Sequence, residues 1–499
     1  MNKKMKFFSI LILVISCFNI FSGCGTSNFI DIYSKNVNEY NITANIDCEK
    51  KIVQVKESVK YINNDKKNKL DKIYFHIYPK AFSDGVMNKP VSTLNESKAY
   101  PNGKSYGEVN ITKVIVDKKE QQATFDGLDQ DILVVELDKP LSTKKSINLA
   151  FEFELKLPNI NHRYGYGENT INLGNFYLIA CVYENGNFNT SPYNYNGDPF
   201  YSDMANYNVE VSYNANYILA ATGNVVQEKQ NEQVKTTKLQ AKAVRDFSLT
   251  LSDKFKIKTE KVDGVVVNYY YYNDEQPDKS FNACKDSLKT FNKLFGKYPY
   301  STLNIAETNF VYGGMEYPNL VFISDNLENY EDYIHTIIHE IAHQWWYGVV
   351  GNDEFKYGFL DESLTEYSAY LFYDENPSYN MNTDTMIKNT TNSYLLFIDV
   401  YREVFTKVDT SMLRSLSEYK TEPEYIYMAY VKGVLMYDNL KALVGKTRFI
   451  NTLKYYYKQN MGKNVTPEIL VSAFNKICKQ NLTSFFNSWF NGTVVIEPL

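Results

Sequence analysis

The sequence predicts two folded parts: a largely antiparallel β sandwich or saddle over residues 41–253, then an α+β domain over residues 254–499. In the first part, short segments alternate apolar and polar residues at period two, which is typical of strands with one buried face. From Glu331 onwards, apolar residues recur at helical spacing instead. A chain of 499 residues is long enough for two or more such domains.

The alternation in the first part is clearest in four segments, which are 51–56, 72–78, 132–137 and 207–213. Clusters of turn-forming residues separate such segments, for example at 63–65 and 196–199. The second part opens with strand-like runs near 265–272 and 303–310, and a predicted helix at 279–295 lies between them. A small sheet followed by many helices is an α+β arrangement.

The first 23 residues are predicted to be a lipoprotein signal peptide. Three lysines lie among the first six residues, and residues 7–21 are almost wholly apolar. Phe-Ser-Gly before Cys24 resembles the lipobox of bacterial lipoproteins, and the alternative Cys17 would leave a very short apolar run. We therefore expect lipidation at Cys24, a linker at 24–40, and an extracytoplasmic body anchored by lipid to the bacterial cell membrane. An uncleaved anchor helix would leave the body on the same side.

The composition is that of a folded soluble body, with 44% hydrophobic and 22% charged residues and a formal net charge of -5. This weak net negative charge, together with the lack of a basic run, argues against nucleic acid as a partner. Four further cysteines are widely scattered, which favours isolated buried thiols but leaves three possible disulfide pairings open. They are Cys48, Cys181, Cys284 and Cys478.

A metal site is predicted at His339, Glu340 and His343. Histidines four apart lie on one face of a helix, so both imidazoles can reach a single ion. Apolar neighbours indicate that this helix is buried, which argues against two ordinary polar histidines. Glu362 offers a third ligand after eighteen intervening residues (344–361). Two imidazoles and a carboxylate suit one catalytic Zn²⁺, although cobalt or manganese could also bind.

The spacing assigns provisional roles around this ion. Glu340 lies beside the metal-activated water and can take its proton, then pass it to a leaving amine. Glu366 is one helical turn beyond Glu362, where it could either orient a ligand histidine or face solvent. His335 shares the face of His339, but Glu362 is the better third ligand.

Five separated stretches, in this order and spacing, resemble the M1 (gluzincin) family of zinc aminopeptidases. They are 244–247, Gly313-Gly314-Met315-Glu316, the 339–343 motif, 360–362 and 429–433. The resemblance implies a saddle-shaped β domain before a thermolysin-like domain. It also implies that Gly313, Gly314, Met315 and Glu316 bind the substrate. Glu316 would take the free α-amino group of a peptide, on a strand that pairs with the substrate backbone. Tyr430 would stabilise the oxyanion.

The sequence departs from the family pattern at two points, and each departure leads to a prediction. Tyr317 stands where the family has asparagine, and we expect it to reshape the pocket for the first side chain. Only residues 434–499 follow Gly433, so we expect no further C-terminal helical domain and a more open cleft. Such a cleft would admit longer peptides or a partner protein as a lid.

The expected function is therefore a zinc aminopeptidase acting on peptides outside the cell. Two alternatives stay open at this point. One is a zinc endopeptidase in which Glu316 serves another purpose, and the other is a catalytically weak envelope protein that binds peptides.

Overall fold

Strands fill the first half of the chain and helices most of the second in the computed structural model, which describes residues 27–405 and 407–498. A continuous apolar core runs through both halves. The predicted fold class, a β part followed by a mainly helical α+β part, is confirmed.

The first half contains eighteen described strands in three sheets and a hairpin, together with two short helices. The strands are β1 (Asn38–Asp47), β2 (Ile52–Ile62), β3 (Leu70–His76), β4 (Glu108–Val116), β5 (Lys119–Gln121), β6 (Thr124–Asp126), β7 (Ile132–Leu141), β8 (Ser146–Lys156), β9 (Tyr164–Tyr166), β10 (Ile171–Leu173), β11 (Ile179–Ala180), β12 (Tyr183–Glu184), β13 (Asn187–Phe188), β14 (Ala205–Asn214), β15 (Ile218–Ala221), β16 (Asn224–Gln230), β17 (Val234–Val244) and β18 (Leu249–Ser252). The helices are α1 (Ser27–Tyr33) and α2 (Glu96–Ala99), and a 3₁₀ turn spans Tyr78–Phe82.

The largest sheet has the strand order β16-β17-β14-β1-β2-β8-β4-β5, and the smaller ones are β15-β18-β10-β9 and β11-β3-β7-β6. Alternate residues of β2, such as Val53 and Val55, point into the core, as period-two patterning requires. One pair departs from the antiparallel expectation, because β1 runs parallel to β14 from Asn38 and Ala205 onwards. Periodicity identifies strands but does not specify their distant neighbours or direction.

The predicted linker at 24–40 contains α1 and the start of β1. Phe29 of α1 is buried, with its ring 5.7 Å from the ring of Tyr300 in the second half, so this part of the linker is packed. The predicted signal peptide and Cys24 lie outside the described residues. Among the residues that the structure describes, no helix has the length and apolar character needed to cross a bilayer.

The second half combines a small sheet with ten helices in its described residues. The strands are β19 (Lys256–Val262), β20 (Val265–Tyr271), β21 (Thr302–Thr308), β22 (Gly314–Met315), β23 (Leu320–Ser324), β24 (Gly351–Asn352) and β25 (Asn464–Val465). The helices are α3 (Pro277–Leu294), α4 (Tyr330–Ala342), α5 (Glu354–Tyr357), α6 (Phe359–Glu375), α7 (Thr383–Val404), α8 (Glu422–Ile426), α9 (Lys432–Val444), α10 (Lys446–Asn460), α11 (Pro467–Cys478) and α12 (Thr483–Phe490). Short 3₁₀ turns span Pro377–Tyr379 and Leu416–Glu418, and a π-helical turn spans Tyr427–Val431.

The sheet of the second half has the strand order β19-β20-β21-β23-β22, which leaves β22 at its edge. Strand β22 pairs with β23 on one side only, through Gly314 opposite Ile323 and Met315 opposite Phe322. An edge strand keeps backbone groups available for another extended chain. This edge faces α4 and contributes to the cavity described below.

Arg245 joins the two halves. Its buried guanidinium donates to the backbone carbonyls of Ser202 (3.0 Å) in the first half and Tyr347 (2.8 Å) and Lys463 (2.6 Å) in the second. Gly351 packs so closely against this guanidinium that a Cβ there would overlap it. Hydrogen bonds from a charged donor to otherwise buried carbonyls are among the stronger polar contacts in a protein, so the junction is firmly held.

The four cysteines that the structure describes, Cys48, Cys181, Cys284 and Cys478, are all buried and unpaired. Burial raises the pKa of the Cys284 thiol, which keeps it protonated and unreactive at neutral pH. These residues are isolated core thiols, in agreement with their scatter along the sequence.

Candidate active site

Helices α4 and α6 carry the residues of the predicted metal site. Helix α4 begins after Asn329, whose side chain accepts a hydrogen bond from the backbone N–H of Asp332 at 2.8 Å and so caps the helix. His339 lies in its last turn and His343 directly after its end. Glu362 lies in the first turn of α6, which packs against α4. Apolar burial of α4 therefore fixes where both imidazoles point.

The three predicted ligands converge on one point. Nε2 of His343 lies 3.2 Å from Nε2 of His339 and 3.2 Å from Oε2 of Glu362, and Nε2 of His339 lies 3.3 Å from the same oxygen. Ligand atoms about 2.0–2.1 Å from a tetrahedral Zn²⁺ are roughly 3.3 Å apart. The spacing of the three donors therefore fits a zinc ion.

The contacts of the second ring nitrogen, Nδ1, are also those expected of a metal-binding histidine. Nδ1 of His339 faces Oε2 of Glu366 at 2.7 Å, and Nδ1 of His343 faces the backbone carbonyl of Trp346 at 3.0 Å. Each Nδ1 can therefore donate a proton to an acceptor, which leaves the Nε2 lone pair for the ion. Glu366 contacts a member of the triad rather than solvent. It also faces Nε2 of His335 at 3.1 Å, and His335 is not part of the triad.

Glu362 is the acidic member of the triad. Burial alone would raise the pKa of its carboxyl group, but the imidazoles of His343 and His339 lower that pKa to about 2. The hydroxyl of Tyr430 donates a short hydrogen bond to its other oxygen, Oε1. Glu362 is therefore an ionised carboxylate with one oxygen aimed between the imidazoles and the other held by a phenol.

Tyr430 reaches the triad from the π-helical turn at Tyr427–Val431. Its ring lies 5.9 Å from the ring of His339 and nearly parallel to it. An extra residue in a helical turn rotates the side chains that follow, and such turns are frequent at functional sites. Of the neighbouring tyrosines, Tyr427 instead bonds to Ser393 (3.0 Å) and is absent from the cavity wall.

Glu340 lies beside the triad and next to Gly314 on the edge strand. Its side chain is buried, and Oε2 has no hydrogen-bond partner in the described residues. Burial raises the pKa of Glu340 to about 7. A Cβ at position 314 would overlap the Glu340 carboxyl group, so a glycine is required there. At Gly313 the nearest atom to such a Cβ is the Thr336 hydroxyl at 3.6 Å, an ordinary contact.

Glu316 follows the edge strand and lies in the same cavity wall as Gly313 and Gly314. It is buried, Oε1 has no partner in the described residues, and burial together with the nearby Asp198 raises the pKa of its carboxyl group. Met315 differs from the sequence prediction, because it is fully buried in the core and does not line the cavity. Successive side chains of a strand point to opposite faces, which explains the difference.

Tyr317 does not reshape the cavity, contrary to the sequence-based expectation. It is fully buried, and its hydroxyl donates to Oδ1 of Asn175 at 3.0 Å in the first half. Gly174 leaves room for that hydroxyl, because a Cβ there would overlap it. The residue thus joins the two halves behind the cavity wall.

The cavity that contains these groups has a volume of about 290 Å³. Sequence analysis missed several of its charged residues: Arg163 and Asp198 from the first half, and Glu422 from α8. The Arg163 guanidinium pairs with Asp198 at 2.5 Å. Asp198 lies in a segment that the sequence marked only as a turn, and no local signal distinguishes it from other loop acids.

The described geometry agrees with comparisons to known proteins. Residues 279–489 match the Peptidase family M1 domain. This region is therefore similar to the domain of peptidase family M1. The triad, Glu340 and Tyr430 all lie within it, as does the edge strand with Glu316.

A curated relative of this chain is leucine aminopeptidase 2 of Aspergillus fumigatus, 28% identical over 185 residues. The match covers 36% of this chain but only 28% of the relative. An M1 zinc metallopeptidase from Deinococcus radiodurans has a similar fold, with a TM-score of 0.66, 15% identity, and coverage of 93% of this chain and 96% of that one. A mutant of the M1 zinc metallopeptidase from the same organism, bound to the substrate Tyr-Ser-Ala, gives a TM-score of 0.65 at 14% identity, with the same coverage.

Proposed function

We propose that this protein is a zinc-dependent aminopeptidase that removes the N-terminal residue of peptides with a free α-amino group. The observation that carries the proposal is the metal triad beside Glu316, a buried carboxylate with an unpartnered oxygen at the end of an open edge strand. The M1 domain and the aminopeptidase relative support the same reaction.

The catalytic roles follow from what each side chain faces. A zinc ion held by the triad supplies Lewis-acid activation of a water molecule and of the scissile carbonyl. Glu340, with its unpartnered oxygen beside the triad, takes the proton of the attacking water and delivers it to the leaving amine. The Tyr430 hydroxyl, already aimed at the triad through Glu362, donates to the oxyanion as it develops.

Glu316 sets the position of the cut. An α-ammonium group paired with this carboxylate places the first peptide bond, and no later one, beside the triad. The edge of β22 is free to pair with the substrate backbone, which would align the peptide along the cavity. An N-acetylated peptide has no positive charge for Glu316, and its acyl group would meet a buried carboxylate instead.

The test compares an alanine aminomethylcoumarin amide with its N-acetylated counterpart, using zinc-loaded protein. We expect hydrolysis of the free amine only, and Glu316→Gln should lower kcat/KM for it by about 100-fold because a charged hydrogen bond is lost. Equal cleavage of both amides would remove the role of Glu316 and favour an endopeptidase. Peptide binding without cleavage would favour a binding protein.

We further propose that the protein acts at the outer face of the cell membrane, anchored by lipid at Cys24. The support is the basic and apolar start of the sequence with its lipobox-like end. Membrane fractions of cells that produce the wild type should contain a protein that begins at a lipid-modified Cys24, whereas Cys24→Ala should keep residues 1–23 and carry no lipid, as mass spectrometry of the N-terminal peptide can show. Wild-type protein without lipid on Cys24 would contradict lipidation at this residue.

A further inference from the structure

Glu422 is a charged residue of the cavity wall that the reaction above does not use. It begins α8 in the second half, and its side chain is only 8% exposed. Ser92 donates to its Oε2 at 2.6 Å, and Asn95 donates to its Oε1 at 2.9 Å, both from the first half. Two neutral donors thus fix the carboxylate, and no ion pair among the described residues includes it.

The other charged groups of the cavity already have a partner or a role in the proposed reaction. Arg163 pairs with Asp198, Glu366 faces two imidazoles, and Glu362 belongs to the triad. Glu316 is assigned to the α-ammonium group of the substrate. Glu422 is left as a buried carboxylate without a positive charge, an arrangement that is costly unless a ligand supplies one.

The surroundings of Glu422 suit the body of a long side chain. The cavity wall also includes the aromatic rings of Tyr195, Tyr312 and Tyr425. Among the described residues the buried hydroxyl of Tyr312 has no partner, and its pKa is raised by burial and by the charge of Glu422. Aromatic faces bind guanidinium and ammonium groups as well as alkyl stems.

The dimensions agree with this assignment. The cavity, with a volume of about 290 Å³, has room for a lysine or arginine side chain. Glu316 and Glu422 line the same cavity. A substrate whose amino group meets Glu316 therefore has its first side chain in the same cavity as Glu422.

We propose that Glu422 selects peptides whose N-terminal residue is arginine or lysine, by pairing with the positive end of that side chain. This inference rests on the proposed aminopeptidase function and adds its substrate class. The first half of the chain contributes to the selection, because Ser92 and Asn95 hold the carboxylate in place.

The test uses aminomethylcoumarin amides of arginine and of citrulline, which has nearly the same shape but no charge. These substrates have no residue after the cut bond, so they report only on the first side chain. We expect zinc-loaded wild type to prefer arginine over citrulline by about tenfold or more in kcat/KM, and Glu422→Gln to reduce that preference to about threefold or less, chiefly through KM. Lysine and norleucine amides should behave in the same way.

Glu424→Gln is the matched control. Glu424 lies on the same helix and is fully buried, but it pairs with Arg414 at 2.7 Å and does not line the cavity. Its substitution should lower Tm and leave the arginine-to-citrulline ratio within about twofold of wild type, which separates charge recognition from loss of structure.

Three outcomes would overturn the proposal. A wild-type ratio near one, with good cleavage of leucine or alanine amides, rejects the role of Glu422 and leaves the aminopeptidase function intact. An unchanged ratio in Glu422→Gln does the same. If the zinc-loaded wild type cleaves no amino-acid amide at all, the proposed function fails and the specificity fails with it.

Discussion

The two walls of the cavity differ in how their polar atoms are satisfied. The metal wall comprises His339, His343, Glu362, Glu366 and Tyr430, and the amine wall comprises Asp198, Gly313, Gly314, Glu316 and Glu340. Each side chain of the metal wall has a partner on α4, α6 or the π-helical turn. In the amine wall, single oxygens of Glu316 and Glu340 have none among the described residues.

The polar atoms of the metal wall are therefore satisfied within the fold, whereas those of the amine wall need a ligand to satisfy them. Orienting contacts on the metal wall hold both imidazoles before any ion binds. Buried unpartnered carboxylates on the amine wall reduce the stability of the free protein, and that cost is recovered when an ammonium group or a reacting water arrives. Substitutions on the amine wall should therefore change turnover, whereas those of the triad and of Glu366 on the metal wall should change the affinity for zinc.

The largest effect is expected at Glu340 on the amine wall. Glu340→Gln should lower kcat by about 10³-fold or more, because no other group takes the proton of water, while the zinc content stays at one per chain. Turnover of an amino-acid amide and metal analysis of the same sample measure both quantities. Glu331→Gln, an exposed position on the same helix, is the control. If Glu340→Gln lost its zinc, the division between the two walls would be wrong.

A smaller effect is expected where the amine wall touches Glu340. Gly314→Ala should reduce kcat by about 100-fold with zinc retained, because its Cβ displaces the Glu340 carboxyl group. Gly313→Ala is the matched substitution, and it should cost clearly less because its Cβ makes only an ordinary contact. Equal losses of kcat in the two variants would show that a glycine at position 314 is not needed to make room for the Glu340 side chain.

The smallest effect is expected behind the metal wall. Glu366→Gln should weaken zinc binding by about tenfold, because a neutral amide holds the Nδ1 proton of His339 less firmly, and excess zinc should restore activity. Competition with a chelator measures the affinity. His335→Gln removes the other imidazole that contacts Glu366, and its effect should be weaker. Low activity of Glu366→Gln at saturating zinc would point to a role in turnover instead.

The sequence was most informative where chemistry and local geometry coincide. Histidines four apart on an apolar helix must share a face, so His339 and His343 could be placed together without coordinates. Alternation at period two likewise identified strands such as β2 and β14. Both inferences depend on contacts within one element or on one buried face, and such contacts leave a periodic trace in the chain.

Features that depend on distant contacts could not be predicted in the same way. The parallel pairing of β1 with β14 joins segments that are far apart in the chain. Asp198 and Glu422 enter the cavity only because the halves pack together, and each looks like an ordinary surface acid in the sequence. Met315 was assigned with its neighbours from the motif, although strand alternation directs it into the core. Tyr317 was misjudged because its partner, Asn175, lies in the other half.

The junction at Arg245 has a practical consequence for dissecting this protein. A fragment that starts at residue 254 would contain the whole metal wall but would lose the guanidinium that satisfies the carbonyls of Tyr347 and Lys463. It would also lose Asp198 and the residues that anchor Glu422. The zinc-binding half is therefore not a minimal enzyme, and truncation is a poor route to a smaller catalyst. Engineering of substrate range should retain both halves and vary the loop residues where they meet.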